Sequence, residues 1–116
     1  MKRPKILLVD KEGTARDGLQ EVLENYDFEV IALASVTEAI DAIVNQRFDI
    51  FITDLDVPNF DDGLAVMAAM HRSQPWAMTV ALRTVRDAQE PLATVVQQAD
   101  KVLEKPIAVR ELVRLI

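Results

Sequence analysis

Carboxylates and cations stand directly after four apolar runs of this chain: Asp10-Lys11-Glu12, Asp54-Leu55-Asp56, Arg83-Thr84 and Glu104-Lys105. Carboxylate oxygens suit a hard cation such as Mg2+, which takes one or two carboxylates and keeps water elsewhere. A lysine beside them neutralises negative charge and is able to contact a transferred phosphoryl group. Any one of these stretches is ordinary loop material. The four gain meaning only if the fold brings them to one place, and that depends on the elements between them.

Ile6–Val9, Val30–Ala34, Phe48–Thr53, Met78–Leu82 and Lys101–Leu103 read as short strands. An unbroken run such as Ile6-Leu7-Leu8-Val9 is the pattern of a strand buried on both faces. Helical spacing separates these runs. Ala15, Leu19, Val22 and Leu23 mark a helix over Thr14–Asn25, with Thr14 as its N-cap. Ser35 caps a second helix whose apolar face is Val36, Ala39, Ile40, Ile43 and Val44, and Glu38 completes a capping box. Leu64, Met67, Ala68 and Met70 mark a third helix over Asp61–Arg72, with its Met residues in the core. Pro91 opens a fourth helix through Gln98, and Leu112, Leu115 and Ile116 mark a fifth over Ala108–Ile116. Five strands alternating with five helices predict an α/β fold with a parallel sheet covered on both faces. In such a sheet ligands bind beyond the carboxyl ends of the strands. All four polar stretches lie there.

Composition narrows the chemistry. At 116 residues the chain is one domain, 50% hydrophobic and 28% charged, the balance of a globular protein. It ends inside an apolar helical pattern, which reads as a fragment of a longer protein. With no cysteine and a single histidine, His71, thiolate chemistry and multi-histidine metal sites are excluded. Three glycines, Gly13, Gly18 and Gly63, make no phosphate-cradling loop. A net charge of −6 speaks against nucleic acid as a partner. Apolar runs of about four residues span no membrane, and the absence of cysteine fits a cytoplasmic setting.

The segments Lys5-Ile6-Leu7-Leu8-Val9-Asp10, Asp54-Leu55-Asp56-Val57-Pro58 with the later Asp62-Gly63, and Leu103-Glu104-Lys105-Pro106 occur in this order at strand ends. In that arrangement the chain resembles the receiver domain of two-component response regulators, from Lys5 to Ile116. The resemblance implies a flavodoxin-like (βα)5 doubly wound fold, a five-stranded parallel sheet of order 2-1-3-4-5, and a cis bond at Lys105–Pro106. It implies Asp54 as phosphoacceptor, with Mg2+ held by Asp10, Asp54 and the backbone carbonyl of Asp56. Lys105 would contact the phosphoryl oxygens. The implied partners are a sensor histidine kinase or phosphotransfer protein and an output domain or partner protein. The implied chemistry is at most self-phosphorylation and dephosphorylation, not that of a separate enzyme.

The chain departs from the family pattern at several positions. Lys11 stands where a second acid is usual, leaving Glu12 as the candidate to lend a carboxylate to the metal, so weak Mg2+ binding is expected. The family's hydroxyl position after the fourth strand falls on Arg83 when counted from Leu82 and on Thr84 when counted from Asp54. Val102 replaces an aromatic residue of the fifth strand. These departures keep a second reading open, an unphosphorylated receiver-like interaction module. A third reading starts from Asp54-Leu55-Asp56-Val57, which matches the DxDx[TV] motif of haloacid-dehalogenase phosphatases. That motif belongs on the first strand of a larger domain, not at the end of a third strand. His71 and Ser73 read as a surface helix end, and Trp76 as packing opposite the acids. Arg110 and Arg114, with Asp100 and Lys101, read as a solvated face or as part of a homodimer surface formed by the fourth helix, fifth strand and fifth helix.

Overall fold

The computed structural model describes residues 3–55, 60–83 and 99–116. The expected helix over Pro91–Gln98, and with it Asp56 and Thr84, lies outside the described residues. The elements in chain order are β1 (Lys5–Val9), α1 (Gly13–Asn25), β2 (Glu29–Leu33), α2 (Val36–Asn45), β3 (Ile50–Asp54), α3 (Phe60–Ser73), β4 (Met78–Arg83), β5 (Lys101–Glu104) and α4 (Val109–Leu115). All strand pairings are parallel, and the order is β2-β1-β3-β4-β5, as the resemblance implied.

Successive residues of a strand face opposite sides of the sheet, and here both sides are covered. Leu7, Val9, Phe51 and Ala81 meet Ala39, Ala42 and Ile43 of α2 and Val66, Met67 and Met70 of α3. Ile6, Leu8, Ile52, Val80 and Leu82 pack on the other side against Leu23 of α1 and Leu112 of α4. This double burial is why the central strands read as unbroken apolar runs. Each large apolar side chain so buried stabilises the fold by roughly 1.5–3 kcal/mol. Removing the fully buried Phe51 ring would cost about 3–5 kcal/mol.

The structure corrects several local expectations. Glu12, not Thr14, holds the extended N-cap position of α1, and its carboxylate accepts from the Ala15 N–H. An acid at that point satisfies an amide of the first turn and suits the positive end of the helix. Ser35 does cap α2, its hydroxyl accepting from the Glu38 N–H at 3.2 Å. Val44 is 74% exposed, because it lies about 100° around the helix from the buried Ile43. Ala15 is exposed as well. Strand β3 opens at Ile50, since the Phe48 N–H donates to Oε1 of the buried Gln74 at 2.7 Å and stays out of the ladder. Strands β4 and β5 each run one residue further than expected, and Arg83 and Glu104 pair in register. Trp76, expected to pack, is half exposed; its indole N–H donates to the Phe48 carbonyl at 2.9 Å and the Arg47 guanidinium lies 4.2 Å from its ring centroid.

One glycine is required by a close approach. A Cβ on Gly63 would stand 2.7 Å from the Leu55 carbonyl oxygen and 2.9 Å from the Leu55 Cα. Without a side chain there, α3 rests on the backbone that leaves β3.

Candidate functional site

Neighbouring strands bring Asp10 and Asp54 side by side. Val9 pairs with Thr53, so Asp10, just past the end of β1, comes beside Asp54, the last residue of β3. Both continue the side of Leu8 and Ile52, the face covered by α1 and α4. Each is only 3% exposed. Lys105 follows Leu103 by two residues and lies on the same side by the same alternation. Its Nζ donates to Asp54 Oδ2 at 2.8 Å, while its main-chain N–H donates to the Arg83 carbonyl at 2.8 Å. The Lys105–Pro106 bond is cis.

The Asp54 carboxyl stands near enough to Asp10 to act on its charge, and Oδ1 of Asp10 accepts from the Glu12 N–H at 2.9 Å. Burial pushes the Asp10 carboxyl above the usual carboxylate range. The Glu12 amide and the Lys105 charge pull it back, while Asp54 adds to the rise. Two buried carboxyl groups so near each other cannot both ionise cheaply. A hard cation held between them would relieve that conflict, and the pair offers two of the oxygen donors that such an ion takes.

The other candidates are placed differently. Lys11 is exposed in the turn between β1 and α1. The Glu12 carboxylate serves as the cap of α1, and among the described residues no group of three acids, histidines or cysteines forms. Arg83 is the last residue of β4, only 7% exposed, and it continues the side of Ala81, opposite to that of Asp54. Asp54 pairs with Leu82, so Arg83 directly follows the residue beside Asp54. Val102 packs against the cluster of α2 and α3. Asp54 ends the third strand in sequence, which does not match the phosphatase arrangement.

Sequence reasoning missed two contributors. Arg16 donates from Nη1 to the Asp10 carbonyl at 2.9 Å, a contact across a turn that no periodicity encodes. Gly63 belongs to the Asp62-Gly63 pair of the sequence, whose spacing assigns it no contact. Its position near the start of a helix, where glycine is otherwise costly, was the available signal.

The family model for the response regulator receiver domain matches residues 6–116. The chain belongs to the response regulator receiver domain family. This receiver domain is 33% identical to the response regulator MprA of Mycobacterium sp. (strain KMS), over 93% of its own length and 46% of that protein. It is 28% identical to the sensor protein GacS of Pseudomonas syringae pv. syringae, over 97% of its own length and 13% of that protein. The domain thus spans about half the length of the response regulators it matches. In fold it is similar to a CheY-like receiver domain protein from Methanospirillum hungatei JF-1, with a TM-score of 0.87, 22% identity and coverage of 97% and 90%. A response regulator from Burkholderia pseudomallei superposes with a TM-score of 0.85 at 24% identity, over 95% of this domain and 64% of that chain. The crystal structure of that protein carries a phosphorylated aspartic acid, a calcium ion and citrate. Among the described residues of the receiver domain, no helix is long and apolar enough to cross a membrane.

Proposed function

We propose that this receiver domain accepts a phosphoryl group on Asp54 as its step in a phosphorelay. The contact between Lys105 Nζ and Asp54 Oδ2 at 2.8 Å, beside the buried Asp10, carries the reading. A carboxylate oxygen of Asp54 forms the new bond to phosphorus. The donor's bond to phosphorus breaks, and its electron pair leaves with the donor. Lys105 holds the Asp54 carboxylate in place and then neutralises charge on the phosphoryl oxygens. Asp10 and Asp54, with the carbonyl of Asp56, are the residues that would hold a divalent cation of the Mg2+ class. Such an ion supplies screening between the carboxylate and the incoming phosphoryl group. Thr84 and Arg83 remain the candidates for a further phosphoryl contact.

The phosphodonor in this reading is a histidine kinase or a phosphotransfer protein, and the receiver of the signal is an output domain or a partner protein. The phosphorylated aspartate and calcium ion of the Burkholderia pseudomallei protein support it by likeness of fold. We place the domain in the cytoplasm, where such partners act, and retain β5 and α4 as part of a homodimer surface.

A second reading, an interaction module that is not phosphorylated, is favoured by the turn after β1. Lys11 replaces an acid there, and the Glu12 carboxylate is engaged with the Ala15 N–H. Incubation with a small phosphodonor and Mg2+, followed by intact mass, separates the two. A mass gain that Asp54→Asn abolishes establishes the first reading. No gain under any donor establishes the second.

A further inference from the structure

Asp10 lies just past the last β1 residue in both ladders, so its carbonyl is not part of the sheet's regular pairing. It is also nearly buried. A buried carbonyl needs a partner, and Arg16 provides one, with Nη1 at 2.9 Å. The contact closes a ring. The Arg16 N–H donates to the Glu12 carbonyl at 2.9 Å, the Glu12 N–H donates to Asp10 Oδ1 at 2.9 Å, and the Arg16 guanidinium returns to Asp10. Meanwhile the Asp10 N–H donates to the Leu33 carbonyl at 3.0 Å. Amide, carbonyl and carboxylate of Asp10 are therefore all held from named atoms.

We infer that Arg16 is a positioning residue for the acid pair: by gripping the Asp10 carbonyl it fixes the backbone that aims the Asp10 carboxylate at Asp54. The side chain suits the task. The guanidinium is planar and permanently charged, it presents several donors in a rigid fork, and it reaches from the first turns of α1 back over the strand end. Its weight is increased by Lys11. With lysine at position 11 and the Glu12 carboxylate engaged with the Ala15 N–H, Asp10 is the acid of this turn that faces Asp54. The metal-binding consequence rests on the proposed reading of Asp10 as a cation ligand; the ring of contacts does not.

The test uses the 116-residue chain, isotopically labelled, as wild type, Arg16→Met and Arg16→Lys. Methionine keeps an unbranched apolar stem and removes the donor, and lysine restores one. Mg2+ titrations followed by amide resonances are run without denaturant, where the variants are folded, with urea unfolding measured beside them. Arg16→Met is expected to bind Mg2+ about tenfold more weakly, in line with the loss of groups that orient metal ligands. Arg16→Lys is expected to recover most of that loss. A merely structural arginine would lower the urea midpoint and leave the affinity of folded protein unchanged, and equal Mg2+ affinities overturn the inference. If the wild type shows no saturable Mg2+ response, the reading of Asp10 as a ligand fails, and the amides of Asp10 to Gly13 decide the positioning role. Sharp resonances in the wild type that broaden in Arg16→Met support it, and identical spectra overturn it. Should Arg16→Met not fold, Arg16→Leu, which likewise has no donor, carries the same comparison.

Discussion

The ammonium of Lys105 reaches over the end of β4 to donate to Asp54 Oδ2 at 2.8 Å, joining a loop after the edge strand to the middle of the sheet. The carboxylate side chain is 4% exposed and the lysine 29%, so water screens this pair only in part. Lys105→Met removes a charged donor from Asp54. The expected loss of stability at neutral pH is about 1–3 kcal/mol, read by urea unfolding. Phosphoryl transfer to Asp54 should slow in the same variant, read by intact mass against time.

The Asp10 carboxyl holds its proton more tightly in the folded protein than an ordinary carboxyl does, chiefly because it is buried. In the absence of metal the folded state therefore binds protons that the unfolded state releases. That linkage contributes stability at low pH, and the contribution is lost as pH rises through the raised value. Asp10→Asn removes the charge while keeping the shape. The variant should be more stable than wild type at neutral pH in the presence of a chelator, with the difference shrinking as pH falls from the raised value of Asp10 toward the ordinary carboxylate range and levelling off below it. A wild type that is equally stable at neutral pH would contradict this. Added Mg2+ should stabilise the wild type and not the variant.

Lys11→Asp changes the local charge by two units. Unscreened, a unit charge at ~4 Å and an effective dielectric of ~20 is worth about 4 kcal/mol. The position is exposed, and solvent cuts this to ~1 kcal/mol, about fivefold in affinity. Calorimetric titration should show tighter Mg2+ binding by Lys11→Asp; equal affinities would defeat the charge argument.

Two glycines give opposite expectations. Gly63→Ala forces a Cβ against the Leu55 backbone at 2.7–2.9 Å, which cannot turn aside as a side chain could. It should destabilise by about 1–3 kcal/mol and disturb the segment following Asp54. Gly18→Ala meets nothing within 4 Å on α1 and should stabilise by about 0.5–1 kcal/mol. Urea unfolding of the two variants in parallel measures both signs.

The apolar periods of the sequence determined the alternation of strands and helices, because double burial and helical amphipathicity leave their mark on residues close together in the chain. They also determined that Asp10, Asp54 and Lys105 stand at strand ends, since each directly follows or nearly follows an apolar run. The order of the strands entered from resemblance, because pairing Val9 with Thr53 or Leu82 with Leu103 is a relation across long sequence separations. What the tertiary structure alone decided concerns direction. Glu12 caps α1, Arg16 turns back to Asp10, and Val44 faces solvent although it was counted on the apolar face. The path of the backbone through a turn sets where such side chains point, and a helix face is buried only where a neighbouring layer covers it. Residue type at a given spacing carries neither piece of information; packing of the layers supplies both.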